Sequence, residues 1–202
     1  MAFKENLYEI VKNALPSYII EYAAIQTQLL EKNFLTFIRK PTSIDPYPFG
    51  DYQTPKSFAL YGSIISDSLL PMLKDAFSEI THKRLCESYS YFRIYYNQAS
   101  LDKHTDRESC QYSATLCLKK DNDWPIYFTD LNGNDVEVEM EPGDLVMYKG
   151  TDLTHWRNEY TGNYHIQTFL HYIDMDGPYY PEYKYDRRES LGFPAPGSQM
   201  LF

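Results

Sequence analysis

Two histidines and one aspartate in this sequence of 202 residues have the types and spacing of a metal-binding set. His104 and Asp106 are two positions apart, and alternate side chains of an extended backbone point the same way, so both can reach one ion. His155 supplies a second imidazole further along the chain. Two histidines and one carboxylate that leave coordination positions open form the facial triad of non-haem iron(II) oxygenases, with room for a 2-oxoacid and dioxygen.

The His-x-Asp pair alone is a weak signal, but four ordered segments surround it. Tyr-Tyr-x7-His-x-Asp covers 95–106, Glu-Pro-Gly-Asp-Leu-Val-Met-Tyr covers 141–148, His-Trp-Arg covers 155–157 and Gln-Thr-Phe-Leu-His-Tyr covers 167–172. In these segments the chain resembles the prolyl 4-hydroxylase-like family of iron(II)- and 2-oxoglutarate-dependent dioxygenases. The resemblance extends over 91–174 and does not include the N-terminal third of the chain.

The resemblance implies a cofactor, a site and a reaction. It implies that His104, Asp106 and His155 are iron(II) ligands and catalytic residues, that 2-oxoglutarate is the cosubstrate, and that ascorbate is a supporting reductant. The implied reaction is hydroxylation of a prolyl or other peptidyl residue, slightly preferred, or of a small molecule. Succinate and CO2 are the expected by-products.

The residue that pairs with the far carboxylate of 2-oxoglutarate departs from the family pattern. Family members usually have Arg or Lys at a position after the distal histidine that is His165 in this sequence. We expect Arg157 to take this role, because it follows His155 closely and a guanidinium matches a carboxylate bidentately. A salt bridge from Arg157 to Asp152 or Glu159 is an equally good interpretation. Further expected cosubstrate-binding residues, on strands that would line the same cavity, are His165, Tyr96, Ser113 and Thr115.

Hydrophobic periodicity predicts helices in the first part of the chain. Apolar residues recur at helical spacing before Pro16 (Leu7, Ile10, Val11 and Leu15) and again after it, which predicts two packed helices. A third helix is expected around Pro71, with the proline in its first turn. The segment 40–62 is rich in Pro, Gly and Tyr and predicts a long loop with room for a short edge strand.

After Leu85 the pattern changes to period two. Short alternating runs that predict strands cover 91–96, 111–118, 125–129, 136–140, 145–149 and 164–173. Asn132-Gly133 and Pro142-Gly143 are turn signals between them. Because no helix separates these strands, we expect a mainly β fold with flanking N-terminal α-helices, a double-stranded β-helix of the jelly-roll or cupin-like barrel kind.

Length and composition limit the number of domains, the class of partner and the cellular location that we expect. We expect one domain over 1–202, with a helical part at about 1–85, a barrel core at about 86–175 and an extended tail at about 176–202. A formal charge of -9 disfavours nucleic acid as a partner. No apolar stretch suits a membrane span or a signal region, so we expect a soluble, cytoplasmic protein with its three cysteines reduced. The oligomeric state is not indicated.

Two other functions fit the same barrel. One is a cupin-like metalloprotein that does not use 2-oxoglutarate, although cupin sites usually have more histidines. The other is a non-catalytic binding module that uses the pocket or the tyrosine-rich surface to hold a partner; the sequence has 20 tyrosines.

Overall fold

The structure, a computed structural model, describes residues 2–192 and consists of two β-sheets with helices packed on one of them. The helices are α1 (Ala2–Asn6), α2 (Ser17–Asn33) and α3 (Ile64–Thr81), and a π-helical segment, Phe34–Ile38, continues α2. The strands are β1 (Tyr8–Val11), β2 (Ser57–Tyr61), β3 (Leu85–Tyr96), β4 (Leu101–His104), β5 (Tyr112–Lys120), β6 (Ile126–Thr129), β7 (Asp135–Val138), β8 (Leu145–Tyr148), β9 (His155–Arg157) and β10 (Tyr164–Asp174). Short 3-10 segments lie at Glu108–Cys110 and Lys184–Arg187.

The strands pair antiparallel in two sheets. The larger sheet has six strands in the order β1-β8-β5-β10-β3-β2, and the smaller has four in the order β4-β9-β6-β7. The predicted mainly antiparallel β fold with flanking helices, of the jelly-roll kind, is therefore confirmed. Strand β2 falls within the loop predicted at 40–62 and lies at an edge of the larger sheet, as expected.

Side-chain alternation along β3 separates the hydrophobic core from the interior of the barrel. Phe92 and Ile94 are buried in the main core beneath the helices, where full burial of each side chain contributes about 1.5–3 kcal/mol. Tyr91 and Arg93 point to the opposite face and line a cavity. Strand β10 alternates in the same way, so one face of the sheet is available for a functional site.

Helices α2 and α3 cover the outer face of the larger sheet. Ile20 and Ala24 of α2 and Leu70 and Phe77 of α3 belong to the main core. The third helix begins earlier than predicted, because the Ser63 hydroxyl caps it by accepting a hydrogen bond from the Ser66 amide at 3.2 Å. Pro71 consequently lies inside α3 and not in its first turn.

The predicted helix before Pro16 is wrong. Leu7 has a φ of 60°, which ends the short helix α1, and Tyr8–Val11 pairs instead with β8 as strand β1. The edge of β8 offers unpaired backbone groups, and hydrogen bonds to that edge outweigh the weak helix preference of this short segment. Tyr8 also stacks on Phe128, with ring centroids 5.2 Å apart.

The described part of the predicted tail, 176–192, forms turns and a 3-10 segment, while 193–202 lies outside the described residues. Arg188 ties this segment to α3 through a fully buried ion pair, Nη1 to Asp67 Oδ2 at 2.8 Å. Asp67 Oδ1 accepts hydrogen bonds from the amide and hydroxyl of Ser90 on β3. One carboxylate thus joins α3, β3 and the segment after β10.

Cys86, Cys110 and Cys117 are all free and buried, which agrees with the expectation of reduced thiols. Among residues 2–192, no helix is both long enough and apolar enough to cross a membrane.

We predict that Arg188→Met lowers the free energy of unfolding by about 3–5 kcal/mol, because it leaves the Asp67 carboxylate buried without its cation. Chemical denaturation followed by circular dichroism measures this difference. Arg84→Met is the matched control, since Arg84 pairs with Asp176 at 3.0 Å on the exposed surface, where such pairs contribute at most about 1 kcal/mol. Equal losses in the two variants would contradict a special role for the buried pair.

Candidate metal centre and cosubstrate pocket

The pairing of β4 with β9 brings the two predicted histidine ligands together, since His104 and His155 are opposite each other across these strands. Asp106 follows β4, and its Oδ1 lies 3.6 Å from His104 Nε2 and 3.7 Å from His155 Nε2. Bonds from these ligand types to a divalent ion are about 2.0–2.2 Å long. Each of these separations is shorter than two such bonds, and the three ligand atoms all lie within 4.8 Å of one another, so a single ion can contact all three.

Backbone carbonyls orient both imidazoles toward this common point. His104 Nδ1 lies 2.7 Å from the Asp102 carbonyl oxygen, and His155 Nδ1 lies 2.9 Å from the Leu153 carbonyl oxygen. A carbonyl can only accept, so each Nδ1 carries a proton, and in the neutral rings each Nε2 presents a lone pair. This arrangement of outer hydrogen bonds is typical of metal-binding histidines.

The Asp106 carboxylate is held by a hydroxyl and by close backbone packing. Its Oδ2 accepts a hydrogen bond from Ser113 Oγ at 2.7 Å, and Ser113 Oγ lies 2.9 Å from His171 Nδ1. The Asp106 amide donates to the Gly150 carbonyl at 2.8 Å. A Cβ at Gly150 would clash with the Asp106 carboxylate and with the Cys110 carbonyl, so a residue without a side chain is required there.

The charge states of Asp106 and His155 suit a cation, whereas the raised pKa of His104 makes metal binding at that ring compete with protonation. Burial would raise the pKa of Asp106, but His155, His104 and the Ser113 hydroxyl hold it well below its ordinary value. Burial lowers the pKa of His155, which keeps that ring neutral. Burial opposes the charged form of His104, yet Asp106 and the Asp102 carbonyl raise its pKa. An ionised carboxylate with neutral imidazoles is the form that binds metal.

Asp106 also belongs to a second group of possible ligands, with Cys110 and His171. The Cys110 thiol lies 3.1 Å from the Tyr89 hydroxyl, and burial raises its pKa far above the ordinary value. Burial lowers the pKa of His171 to about 4. This group shares its only carboxylate with the triad, so His171 and Cys110 form the surroundings of Asp106 and not a separate centre.

A cavity of about 350 Å³ adjoins the triad and extends between the two sheets, a volume at the small end of the range for ligand pockets. It is lined by the three candidate ligands, by Arg157 and Arg93, and by many rings. The ring residues at its wall are Tyr52, Tyr61, Tyr89, Tyr91, Tyr148, Phe169 and His171.

Arg157 is a fully buried cation at the wall of this cavity. Its Nη1 donates to the Trp124 carbonyl, and its guanidinium lies over the Trp124 ring, 4.8 Å from the ring centroid. Asp152 pairs with Lys149 instead, and in the described part of the chain no carboxylate lies within ion-pair distance of Arg157. The predicted salt bridge to Asp152 or Glu159 is therefore wrong.

Several solved structures have a fold similar to that of this chain. A prolyl-4-hydroxylase from Pseudomonas putida matches with a TM-score of 0.66 and 12% identity, over 86% of this chain and 95% of that one. EctD from S. alaskensis with bound Fe matches with a TM-score of 0.65 and 11% identity, over 94% and 84% of the two chains. HygX from Streptomyces hygroscopicus, with nickel, 2-oxoglutarate and hygromycin B bound, matches with a TM-score of 0.62 and 12% identity, over 86% of this chain and 85% of that one. The chain has the prolyl-4-hydroxylase fold.

No protein-family model matches the sequence, and no curated protein matches it either. The likeness to the prolyl-4-hydroxylase fold is thus a likeness of architecture, and the chemistry must be argued from the side chains.

Gln167 links three of the residues predicted to bind the cosubstrate. Its amide oxygen, oriented by its neighbours, accepts from Arg157 Nη2 at 3.0 Å and from His165 Nε2 at 2.8 Å, and its nitrogen donates to Thr115 Oγ1 at 2.6 Å. Thr115 and His165 therefore lie behind Arg157 and hold it in place, and neither reaches the cavity wall. Ser113 likewise acts through Asp106 and not at the wall.

Two expectations for the cosubstrate residues are corrected. Burial, with Arg157 and Lys120 nearby, lowers the pKa of His165 well below its ordinary value, so a neutral His165 cannot supply the cationic anchor. Tyr96 lies on the outer face of β3, where its hydroxyl donates to Glu31 of α2 and its ring stacks on Tyr47. Along β3, Tyr96 points to the same side as Phe92 and Ile94, so its side chain faces the helices and does not enter the cavity.

Several residues that line the cavity were not identified from the sequence. Arg93 lines the cavity and pairs with Asp51. The alternation of Tyr91, Arg93 and Tyr95 along β3 would have predicted that the Arg93 side chain faces the interior of the barrel. Asp51 and Gln53 come from the loop before β2, and no periodicity in that loop predicts which side chains turn inward.

We predict that His155→Ala abolishes tight binding of cobalt(II), a spectroscopic probe for divalent ions, because only two ligands remain. Ser113→Ala should weaken cobalt(II) binding by about 10- to 100-fold, since it removes the hydrogen bond that orients Asp106. Titration followed by visible absorption measures both. Thr115→Val is the control from the same strand face; a loss as large as that of Ser113→Ala would contradict the specific support of Asp106.

Proposed function

We propose that the protein is a non-haem iron(II)- and 2-oxoglutarate-dependent dioxygenase that hydroxylates its substrate. The observation that carries this proposal is the convergence of His104, Asp106 and His155 beside a cavity that also contains a buried arginine, Arg157, which has no carboxylate partner within residues 2–192. Three protein ligands leave coordination positions for a bidentate 2-oxoacid and dioxygen. The shared prolyl-4-hydroxylase fold supports the same conclusion.

The protein contributes positions and charges, while the cofactor and cosubstrate contribute the chemistry. When bound, iron(II) with 2-oxoglutarate supplies the activation of dioxygen: one oxygen atom replaces a substrate C–H bond by C–OH, and the other ends in succinate as CO2 leaves. His104, Asp106 and His155 would hold the ion through Nε2, Oδ1 and Nε2. The rings of Phe128 and Tyr148 pack against His155 and exclude water from that side.

Arg157 is our proposed partner for the far carboxylate of 2-oxoglutarate. Burial lowers the pKa of Arg157, which means that the fold disfavours its charge and that an anion in the cavity would relieve this cost. Gln167 and the Trp124 carbonyl occupy part of the guanidinium and fix its direction. A bidentate, charge-assisted contact from a fixed guanidinium is the strongest carboxylate anchor available in this cavity.

The substrate is proposed to be a prolyl or other peptidyl side chain, or a small molecule. A cavity of about 350 Å³ has room for a cosubstrate and one side chain or small group, and its tyrosine-rich wall suits an amphipathic substrate. The similar structures include a prolyl-4-hydroxylase as well as HygX with hygromycin B bound. One oxygenase domain over 1–202 and a supporting role for ascorbate belong to this proposal as well.

Anaerobic titration of the iron(II)-loaded protein with 2-oxoglutarate tests the class. Chelation of the 2-oxoacid should produce a visible metal-to-ligand charge-transfer band that is lost in His155→Ala. Bound iron without the band would favour a cupin-like metalloprotein that does not use 2-oxoglutarate, and failure to bind iron would favour a non-catalytic binding module. Hydroxylation itself is recognised by a product that has gained one oxygen atom from dioxygen.

We predict that Arg157→Met weakens 2-oxoglutarate binding by roughly two to four orders of magnitude, because partner loss at a buried charge pair costs about 3–5 kcal/mol. The charge-transfer titration measures the change, and cobalt(II) affinity should be unaltered. Lys120→Met is the control, since Lys120 pairs with the exposed carboxylates of Asp123 and Glu141 and does not line the cavity. A loss in Arg93→Met without one in Arg157→Met would assign the anchor to Arg93 instead.

A further inference from the structure

Gln53 reaches the candidate metal centre from the loop before β2. Its side-chain nitrogen lies 3.2 Å from His104 Nε2, and its side-chain oxygen accepts a hydrogen bond from Arg93 Nη2 at 3.1 Å. The carboxamide therefore bridges a buried arginine and the metal-facing atom of a proposed ligand. Neither His155 Nε2 nor Asp106 Oδ1 has a comparable contact with this loop.

The orientation of the Gln53 amide follows from the chemistry of its two neighbours. A guanidinium has donors only, so the amide oxygen must face Arg93 and the amide nitrogen must face His104. Because His104 Nδ1 donates to the Asp102 carbonyl, the Nε2 lone pair is the acceptor for the Gln53 N–H. Gln53 thus uses the lone pair that a metal ion would need.

A turn over 51–54 holds Gln53 in this position. Asp51 Oδ2 pairs with Arg93 and accepts from the Tyr91 hydroxyl at 2.7 Å, while its Oδ1 accepts from the Thr54 amide at 2.8 Å. Thr54 Oγ1 in turn donates to the Ser100 carbonyl at 3.2 Å. These contacts attach the turn to β3 and to the chain just before β4, so Gln53 is presented to His104 by a fixed backbone.

We propose that Gln53 is an internal competitor that regulates metal loading of the proposed centre: its carboxamide occupies His104 Nε2 until an incoming ion displaces it. This inference rests on the metal centre proposed above. Asp106 and His155 remain available to make the first contacts with the ion, and His104 joins when the Gln53 amide leaves. The apparent metal affinity is then the intrinsic affinity reduced by the fraction of molecules in which His104 is free.

Removal of the competing hydrogen bond should strengthen metal binding. A hydrogen bond of ordinary net strength corresponds to a change of about threefold to tenfold in an equilibrium constant. We expect Gln53→Ala to bind cobalt(II) more tightly by this factor. Gln53→Leu should also bind more tightly than the native chain, because leucine fills much of the same space but has neither an N–H to donate to His104 nor an atom that can bind the metal.

Isothermal titration of the full chain with cobalt(II) tests the proposal, with Gln26→Ala on α2 as a matched control that should behave as the native chain does. Tighter binding in both Gln53 variants supports the competition. Native affinity in Gln53→Ala overturns it, and so does weaker binding, which would make Gln53 a metal ligand. Absence of binding in every protein, with folding verified by circular dichroism, would overturn the metal centre itself and the competition with it.

Discussion

The antiparallel pairing of β4 with β9 is the constraint on which the candidate site depends. It places His104 opposite His155, two residues that are far apart in the sequence, at the distance of neighbouring strands. Asp106 then needs only the short segment after β4 and a hydrogen bond to the Gly150 carbonyl to reach the same point. A second apolar cluster holds the smaller sheet against the larger one, because Phe128 of β6 and Val138 of β7 pack with Val146 and Tyr148 of β8.

Buried charge distinguishes the interior of this barrel from an ordinary core. Asp106 is compensated by two imidazoles and a hydroxyl, whereas Arg157 has an amide oxygen, a carbonyl and an indole ring but no carboxylate among the described residues. An isolated buried cation is costly to folding unless a ligand compensates it. The fold tolerates this cost because the main core lies on the other face of the larger sheet, under α2 and α3.

The larger sheet separates a structural face from a functional one, and each strand contributes to both by alternation. On β3, Phe92 and Ile94 stabilise the contact with the helices while Tyr91 and Arg93 line the cavity. Asp67 and Arg188 connect α3, β3 and the segment after β10 through one buried ion pair. The loop before β2 adds Asp51 and Gln53 to the same wall, so the site is closed by residues from outside the barrel strands.

Local sequence information was sufficient for the longer barrel strands, the turns and the identity of the three candidate metal ligands, but it did not predict β1, β4 or β9 as strands. Period-two alternation is a local property, and His-x-Asp with the later His-Trp-Arg has a recognisable order, so these features required no knowledge of contacts. Alternation could also have placed Arg93 inside and Tyr96 outside, had it been applied to each residue of β3. Tertiary structure decided the rest. Strand β1 formed because β8 had an open edge, and Gln53 met His104 because Asp51 binds Arg93. Within the part of the chain that the structure describes, Arg157 has no carboxylate partner, and Asp152 pairs with Lys149 instead. Each of these outcomes depends on which distant groups compete for one partner, and such competition is set by three-dimensional proximity that no local pattern records.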